Sequence, residues 1–371
     1  MKKSVIAFSL ALFFVSSAAF SIQAKSVQPE KERSDDLPKH QITFTDNRKI
    51  EITMEKAAES FVLFPKEAQA LVAVNGGTKK FRGIHPEDQK ANEKRVIAKH
   101  YPDLLTLNTR FALDGGFNPN VEELLRIRPD VVFQWTSRGD EAYLPMIAVG
   151  IRVVSVGWGK WEDDIERLRL YAAPLGESER VDRLLARQEE IKDEIQTMTL
   201  RIPANERKTH VFVDAIQGNE LVVWGKELPF TTIHGVDNAA FSKGGLTNPS
   251  ETINVETLLS WNPDIIVLNS FRNKTLPEDV YSNPLFKDLS AVKNKRVYKS
   301  MDTSLVENPI SSWYWYGILA YPKLFSEYNM RDRLTVDYKY LYNIDLTSSD
   351  IDQILQVQAN SASSEYNRFL Q

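Results

Sequence analysis

The chain has 371 residues, 42% of them apolar, with 50 acidic against 46 basic side chains, a formal charge of -4 and no cysteine. Such a length and apolar fraction can fill more than one hydrophobic core. A mildly acidic balance without long basic runs argues against nucleic acid as the main partner, and the missing thiols exclude disulfides, thiolate metal sites and a lipid-modified cysteine anchor.

Lys2-Lys3, an apolar run from Val5 to Phe20 and small residues after it predict a secretory signal peptide over 1–24. It is too short, and too soon followed by polar sequence, to be read as a membrane anchor. Cleavage is expected after Ala24, with Ser21 the second choice, and it moves the formal charge from -4 to -6. A soluble exported chain of this kind suits a Gram-negative periplasm. Residues 25–39 are charged, lack apolar periodicity and read as a mobile leader. Alternation over 41–53 around Asp46-Asn47 predicts a β-hairpin. Ser60 to Phe64 reads as a strand, Pro65 as the opening of a helix, and Asn75-Gly76-Gly77 as its end. Residues 85–112 are polar and irregular, with one helical portion at 91–100, and are expected as the rim of a cleft.

Residues 120–138, NVEELLRIRPDVVFQWTSR, recur without a gap as 254–272, NVETLLSWNPDIIVLNSFR. Two copies are too few for a solenoid and predict two equivalent lobes. In each copy an asparagine, Asn120 or Asn254, stands where a helix N-cap belongs. Glu122 or Glu256 follows in the first turn, where a carboxylate suits the positive helix end. A Leu-Leu pair packs inward, and Pro129 or Pro263 stops the helix. Asp130 or Asp264 then leads into a strand apolar enough for a buried parallel sheet. Arg138 and Arg272 fall at the carboxyl ends of those strands, the edge where open α/β sheets bind ligands.

Between the copies, 141–149 reads as a helix and 151–156 as a strand ending in Gly157-Trp158-Gly159. From Trp161 to about Thr199 the pattern is helical, broken at Pro174-Leu175-Gly176, with apolar residues at 181, 184, 185, 191 and 195 and charge elsewhere. That suits a stiff connector, and the seam is short for a coiled-coil dimer. Strands follow at 210–215, 220–224 and 296–299, with a loop at Gly244-Gly245 and Asn248-Pro249. An aromatic-rich helix is expected over 308–328 and a last helix over 349–357. The expected organisation is an N-terminal lobe at 40–160, a connecting helical segment at 161–203, a C-terminal lobe at 204–330 and a C-terminal extension at 331–371.

The ordered pattern N-x-E-x-L-L-x-x-x-P-D, once per lobe, joins ITFTDNRKIEIT at 42–53 and NPLFKDLSAVKNKRVY at 283–298. Together they resemble the periplasmic binding proteins of iron–siderophore, haem and cobalamin ABC importers over roughly residues 40–325. The resemblance implies two Rossmann-like α/β lobes with a ligand cleft between them, joined by one long α-helix that limits their relative motion. It implies a monomeric carrier of a small molecule, without enzymatic activity, that delivers its cargo to an ABC permease and its ATPase. It also implies that one glutamate per lobe meets arginines of the permease, and the motif register places that role on Glu122 and Glu256.

Arg138 and Arg272 are the sharpest ligand candidates, because a guanidinium stays charged and offers a planar set of donors to carboxylates, catecholates or oxyanions. The bland alternative is a loop arginine paired with Asp140 or nearby acids. Trp135, Trp158 and Trp224 each stand at or past a strand end, where a large apolar face can hold a chelate or a corrin, or else pack the lobe edge. Trp313 and Trp315 read as core. Glu122 and Glu256 are rejected as an acid–base pair, because they begin helices on separate lobes. The five histidines, 40, 85, 100, 210 and 234, show no metal-ligand spacing, and His234 reads as structural. No resident metal or cofactor is expected, the ligand itself being a metal complex or an oxyanion. Phosphate loops, dinucleotide fingerprints and G-x-S-x-G are absent. Tyr143 and the tyrosines of 314–328 leave haem ligation open. Three readings result: a carrier of a ferric-siderophore-type chelate; the same scaffold carrying a molybdate-type oxyanion, cobalamin or haem; and a periplasmic hydrolase, for which no nucleophile with its base is visible.

Overall fold

The computed structural model describes residues 41–157, 161–225, 232–248, 250–270, 273–303 and 307–370. The expected signal peptide and leader, Trp158 and Arg272 lie outside the described residues. The first described element is the expected hairpin, β1 (Ile42–Thr45) against β2 (Glu51–Met54). Next comes β3 (Phe61–Leu63), then α1 (Ala68–Asn75), which ends on Gly76 at φ 68°. Pro65 does not open this helix. The Ala68 N–H, the first of the helix, is taken at 2.8 Å by the buried carboxylate of Asp88, so the turn begins three residues later.

The polar stretch read as irregular holds more order than its composition shows. β4 (Phe81–Ile84) is a strand of the first sheet, and α2 (Pro86–Asn92) and α3 (Val96–His100) are helices. A Cβ on Gly83 would lie 2.7 Å from the Asn108 carbonyl and the Phe111 ring, so glycine here permits a close backbone approach. A short pair follows, β5 (Ala112–Leu113) and β6 (Asn118–Pro119), and then α4 (Val121–Ile127), β7 (Val131–Trp135), α5 (Gly139–Ala148) and β8 (Val153–Val156). The first sheet has the order β4-β3-β7-β8 and is parallel throughout. Its central strands are buried on both faces, which explains the apolar runs 61–63 and 131–133.

The connector is two helices, α6 (Trp161–Leu175) and α7 (Ser178–Thr199), broken at Gly176 with φ 73°. The 22 residues of α7 reach about 33 Å at 1.5 Å per residue. Near its start Arg180 donates to the Ala73 carbonyl at 2.6 Å, and at its end Thr199 donates to the Ile233 carbonyl at 2.9 Å. Its apolar stripe, Val181, Leu184, Leu185, Ile191 and Ile195, is buried within the chain.

The second sheet uses β9 (Thr209–Gln217), β10 (Glu220–Val223), β11 (Asp237–Asn238), β12 (Glu251–Asn254), β13 (Ile265–Leu268) and β14 (Val297–Lys299). Its order is β12-β10-β9-β13-β14, with β11 on β9; β9, β13 and β14 are parallel, whereas β10 runs against both neighbours. α8 (Ala239–Ser242), α9 (Val255–Trp261), α10 (Pro277–Ser282) and α11 (Ser290–Lys293) accompany it. The aromatic helix, α12 (Pro309–Ala320), stops eight residues short of the expected end, because Pro322 forces Tyr321 out of helical geometry.

The extension is part of the body. α13 (Met330–Tyr342), which the sequence reading missed, starts on an Asn329 cap and ends on Asn343 at φ 55°; α14 (Ser348–Ile354) follows. Toward the first lobe, Tyr101 donates to the Tyr342 carbonyl at 2.5 Å and Lys99 pairs with Asp350 at 2.9 Å. Toward the second, the Asn360 side chain brackets the Lys299 backbone at 2.6 and 3.0 Å. The last forty residues therefore brace both lobes, alongside α7.

Candidate functional site

The repeat folds the same way twice. Asn120 Oδ1 accepts the Glu123 N–H at 3.2 Å, and Asn254 Oδ1 accepts that of Thr257 at 2.9 Å. Both helices end on a left-handed residue before the proline, Arg128 at φ 52° and Asn262 at φ 42°. Asp130 then accepts from the Glu59 N–H and the Ser60 hydroxyl at 2.9 and 2.8 Å; Asp264 accepts from the N–H and hydroxyl of Thr209 at 2.9 and 3.2 Å. The Pro-Asp carboxylate is thus a clamp on the neighbouring strand at the sheet's amino edge. Glu122 and Glu256 are exposed in the first turns of α4 and α9, and neither makes an ion pair among the described residues.

At the carboxyl edge of the first sheet, Lys66 follows β3, His85 follows β4, Trp135 ends β7 and Arg138 lies three residues on. The loop between β5 and β6 brings Phe117 among them. The exposed Arg138 guanidinium carbon sits 3.6 Å from the Phe117 ring centroid and the Lys66 ammonium 5.4 Å from it. The His85 and Phe117 ring centroids are 4.6 Å apart. Lys66 also pairs with Glu87. Burial, with Lys66 and Arg138 nearby and Glu87 opposing them, lowers the His85 pKa to about 4, so the ring is neutral and accepts the Glu87 N–H at Nδ1. Asp140, the anticipated partner of Arg138, is taken by Arg48 at 2.7 Å. His85 escaped the sequence reading because β4 did, and a strand ending at Ile84 would have pointed to it; Lys66 past the expected β3 and Phe117 in the β5–β6 loop were passed over.

Half-buried Trp135 lies 5.6 Å from the guanidinium of Arg167. Arg167 is 2% exposed, pairs with Glu67 at 2.9 Å and Asp164 at 2.8 Å, and donates to the Gly157 carbonyl at 2.9 Å. It fixes the backbone at Gly157, just past the end of β8.

Trp224 does follow a strand, but β10 is antiparallel to β9, so Trp224 returns level with Phe212, one residue short of the pair Val213 and Leu268 at which β13 ends. Its N–H bonds the Phe212 carbonyl at 3.1 Å, and its half-buried ring packs 6.1 Å from that of Phe212. Tyr143 is also spent in the core: its hydroxyl bonds the Gln134 carbonyl and Ser155, and Tyr314 and Tyr316 are buried too, so none of the three is free to ligate haem. Trp313, Trp315 and His234 are buried, as expected.

The second sheet's carboxyl edge is different in kind. Asn269 donates to Asp214 at 2.7 Å, and the Ser270 N–H meets the Ser300 hydroxyl at 3.0 Å. Lys299 points inward to the carbonyls of Asn273 and Thr275, and burial lowers its pKa to about 8. Among the described residues no group of three or more acidic or histidine side chains could hold a metal ion, and no helix is long and apolar enough to cross a membrane.

The profile of the periplasmic binding protein family matches residues 84–302. The Fe(3+)-citrate-binding protein of Bacillus subtilis (strain 168) is 25% identical over 224 residues, 58% of this chain and 65% of that protein. The iron-uptake system-binding protein of the same organism is 24% identical over 271 residues, 69% of this chain and 80% of that one. A periplasmic solute binding protein from Veillonella parvula, solved by crystallography, superposes with a TM-score of 0.76 at 27% identity, covering 87% of this chain and 99% of that one.

Proposed function

The chain belongs to the periplasmic binding protein family, and we propose that it captures an anionic ferric chelate of the siderophore or citrate kind and hands it to the permease and ATPase of an ABC importer. The observation that carries this reading is the cationic, aromatic carboxyl edge of the first lobe. Arg138 and Lys66 share the Phe117 ring there, and Arg138 has no carboxylate partner among the described residues. A guanidinium suits the oxygen-rich surface of such a chelate, and an aromatic edge suits its apolar parts. The names of the two Bacillus relatives, which refer to ferric citrate and iron uptake, support the same cargo class. In this reading Trp135, Trp158 and Arg272 complete a cleft between the two carboxyl edges, and Glu122 and Glu256 are the permease contacts. The chelate is cargo and not a cofactor. The protein works as a monomer, exported to a Gram-negative periplasm after cleavage of residues 1–24.

Titrating the intrinsic tryptophan fluorescence of the mature protein with ferric citrate, a ferric catecholate, a ferric hydroxamate, haem, cobalamin and molybdate tests the cargo. Saturable quenching by an anionic ferric chelate is expected. Saturation by cobalamin or haem, with no response to any ferric chelate, overturns the reading.

A further inference from the structure

We infer that Phe117 is a positioning residue of the ligand site: its ring orients the Arg138 guanidinium and leaves that group's donors free for the oxygens of an anionic ligand. The inference rests on the reading of Arg138 as a ligand contact. Arg138 follows a short turn and precedes Gly139 at φ 67°, so the local backbone alone does little to fix its long side chain. A carboxylate partner would fix it but would also consume its planar fork and cancel its charge. Asp140 does not play that part, being held by Arg48 at 2.7 Å. The Phe117 ring, 3.6 Å from the guanidinium carbon, attracts the cation through its π face and accepts none of its in-plane N–H groups.

Phe117 is itself fixed. Its carbonyl accepts from the Gln134 side chain at 2.9 Å, and its ring leans on the buried His85. The preceding Gly116 has φ 93°, and a Cβ there would lie 2.2 Å from His85 Nε2, so only glycine lets the loop close over the imidazole. Lys66, paired with Glu87, also reaches this ring, its ammonium 5.4 Å from the centroid. The chemistry that fits is a ligand with several anionic oxygens in one plane, such as a metal-bound carboxylate or catecholate.

The test combines Phe117→Leu, Phe117→Trp, Arg138→Ala and the Leu/Ala double variant. Two readouts are used: calorimetric affinity for ferric citrate, and the NMR order parameter of the Arg138 Nε–H group in the ligand-free protein. Phe117→Leu should lower that order parameter and weaken ferric citrate about two- to tenfold, the cost of ordering one long side chain on binding. Phe117→Trp should restore both, and in the Arg138→Ala background the leucine should change affinity by less than about twofold. An unchanged order parameter in Phe117→Leu overturns the inference whatever the cargo is. So does an equal loss of affinity with and without Arg138, which would make the ring a direct contact or a fold support. Should wild-type protein bind no ferric chelate, the cargo reading fails alone, and the order parameter still decides the role of Phe117.

Discussion

In the first lobe the repeat's strand runs out to an exposed Arg138 lying on Phe117, with Lys66 on the same ring. At the matching edge of the second lobe the described side chains are Asp214, Asn269, Ser270 and Ser300, bonded to one another in pairs, and the nearby lysine, Lys299, is turned inward. At the amino edges the lobes are alike down to the capping asparagine, the left-handed stop and the aspartate clamp. Packing constrains the amino edge, since an uncapped helix or unclamped strand costs both lobes the same. Under the proposed function the carboxyl edges face the ligand, and among the described residues the first supplies charge while the second supplies neutral and acidic hydrogen-bonding groups.

The harshest way to break the asymmetry is Gly116→Ala. The new methyl group meets His85 Nε2 at 2.2 Å with the backbone at φ 93°, and neither the buried imidazole nor the loop can yield cheaply. Strain and overpacking together should cost about 2–4 kcal/mol, seen as a lowered Tm together with lost binding. Full retention of both would mean that the loop has room the geometry denies.

Acid should unsettle both lobes through the buried His85 in the first and the buried His210 in the second. Burial lowers His85 to about 4 and His210 to about 3, against 6.5 for the unfolded chain. The folded protein therefore binds fewer protons than the unfolded one below pH 6.5. Stability from these groups is complete above pH 6.5 and falls as the pH drops toward 4 and 3, by at most about 1.4 kcal/mol per pH unit for each histidine. Denaturant midpoints measured from pH 7 to 4 should fall less steeply in His210→Phe, and an unchanged slope would remove that residue from the account.

Arg138→Ala should weaken an anionic ferric chelate about tenfold to a hundredfold, with lysine restoring part of it, while the apo-protein melts as before. The same change at Arg272 tests whether the second lobe contributes charge as well. Equal losses at the two positions would erase the asymmetry; a loss at Arg138 alone would sharpen it. By contrast, Asp130→Ala and Asp264→Ala should each cost about 1–3 kcal/mol of stability, nearly equally, and leave affinity alone.

Much of this contrast could be read from the chain. The repeat announced two lobes, and its capping asparagines, terminating prolines and buried strands behave as those residue types dictate. Its arginine was legible as an edge residue, because strand direction follows from the helix before it. Phe117 and His85 were not legible, since the strand that places His85 carries arginine and glycine in its middle, and a loop of three-dimensional contacts brings up Phe117. Trp224 was legible as a residue past a strand end, but not the antiparallel course of β10 that brings it back beside Phe212. α13 was passed over although Asn329 and Asn343 mark both of its ends.

The smallest change expected in the purified protein is the reversal of Glu122 or Glu256 to lysine. Each glutamate stands in a first helical turn, exposed and without an ion pair among the described residues. Its local contribution is therefore limited to the attraction of the positive helix end, about 0.3–1 kcal/mol. Neither lies at a carboxyl edge, so ligand affinity should not move. In cells carrying the matching importer the proposed docking role predicts a far larger effect, because a lysine facing permease arginines would turn attraction into repulsion. Uptake of the cargo should fall sharply for either reversal, and adding salt to a reconstituted transporter should narrow the gap between variant and wild type by screening that repulsion. A reversal that leaves uptake at the wild-type level takes that glutamate out of the docking surface. If only one of the two matters, the lobes differ at this edge as well, and the permease reads them unequally.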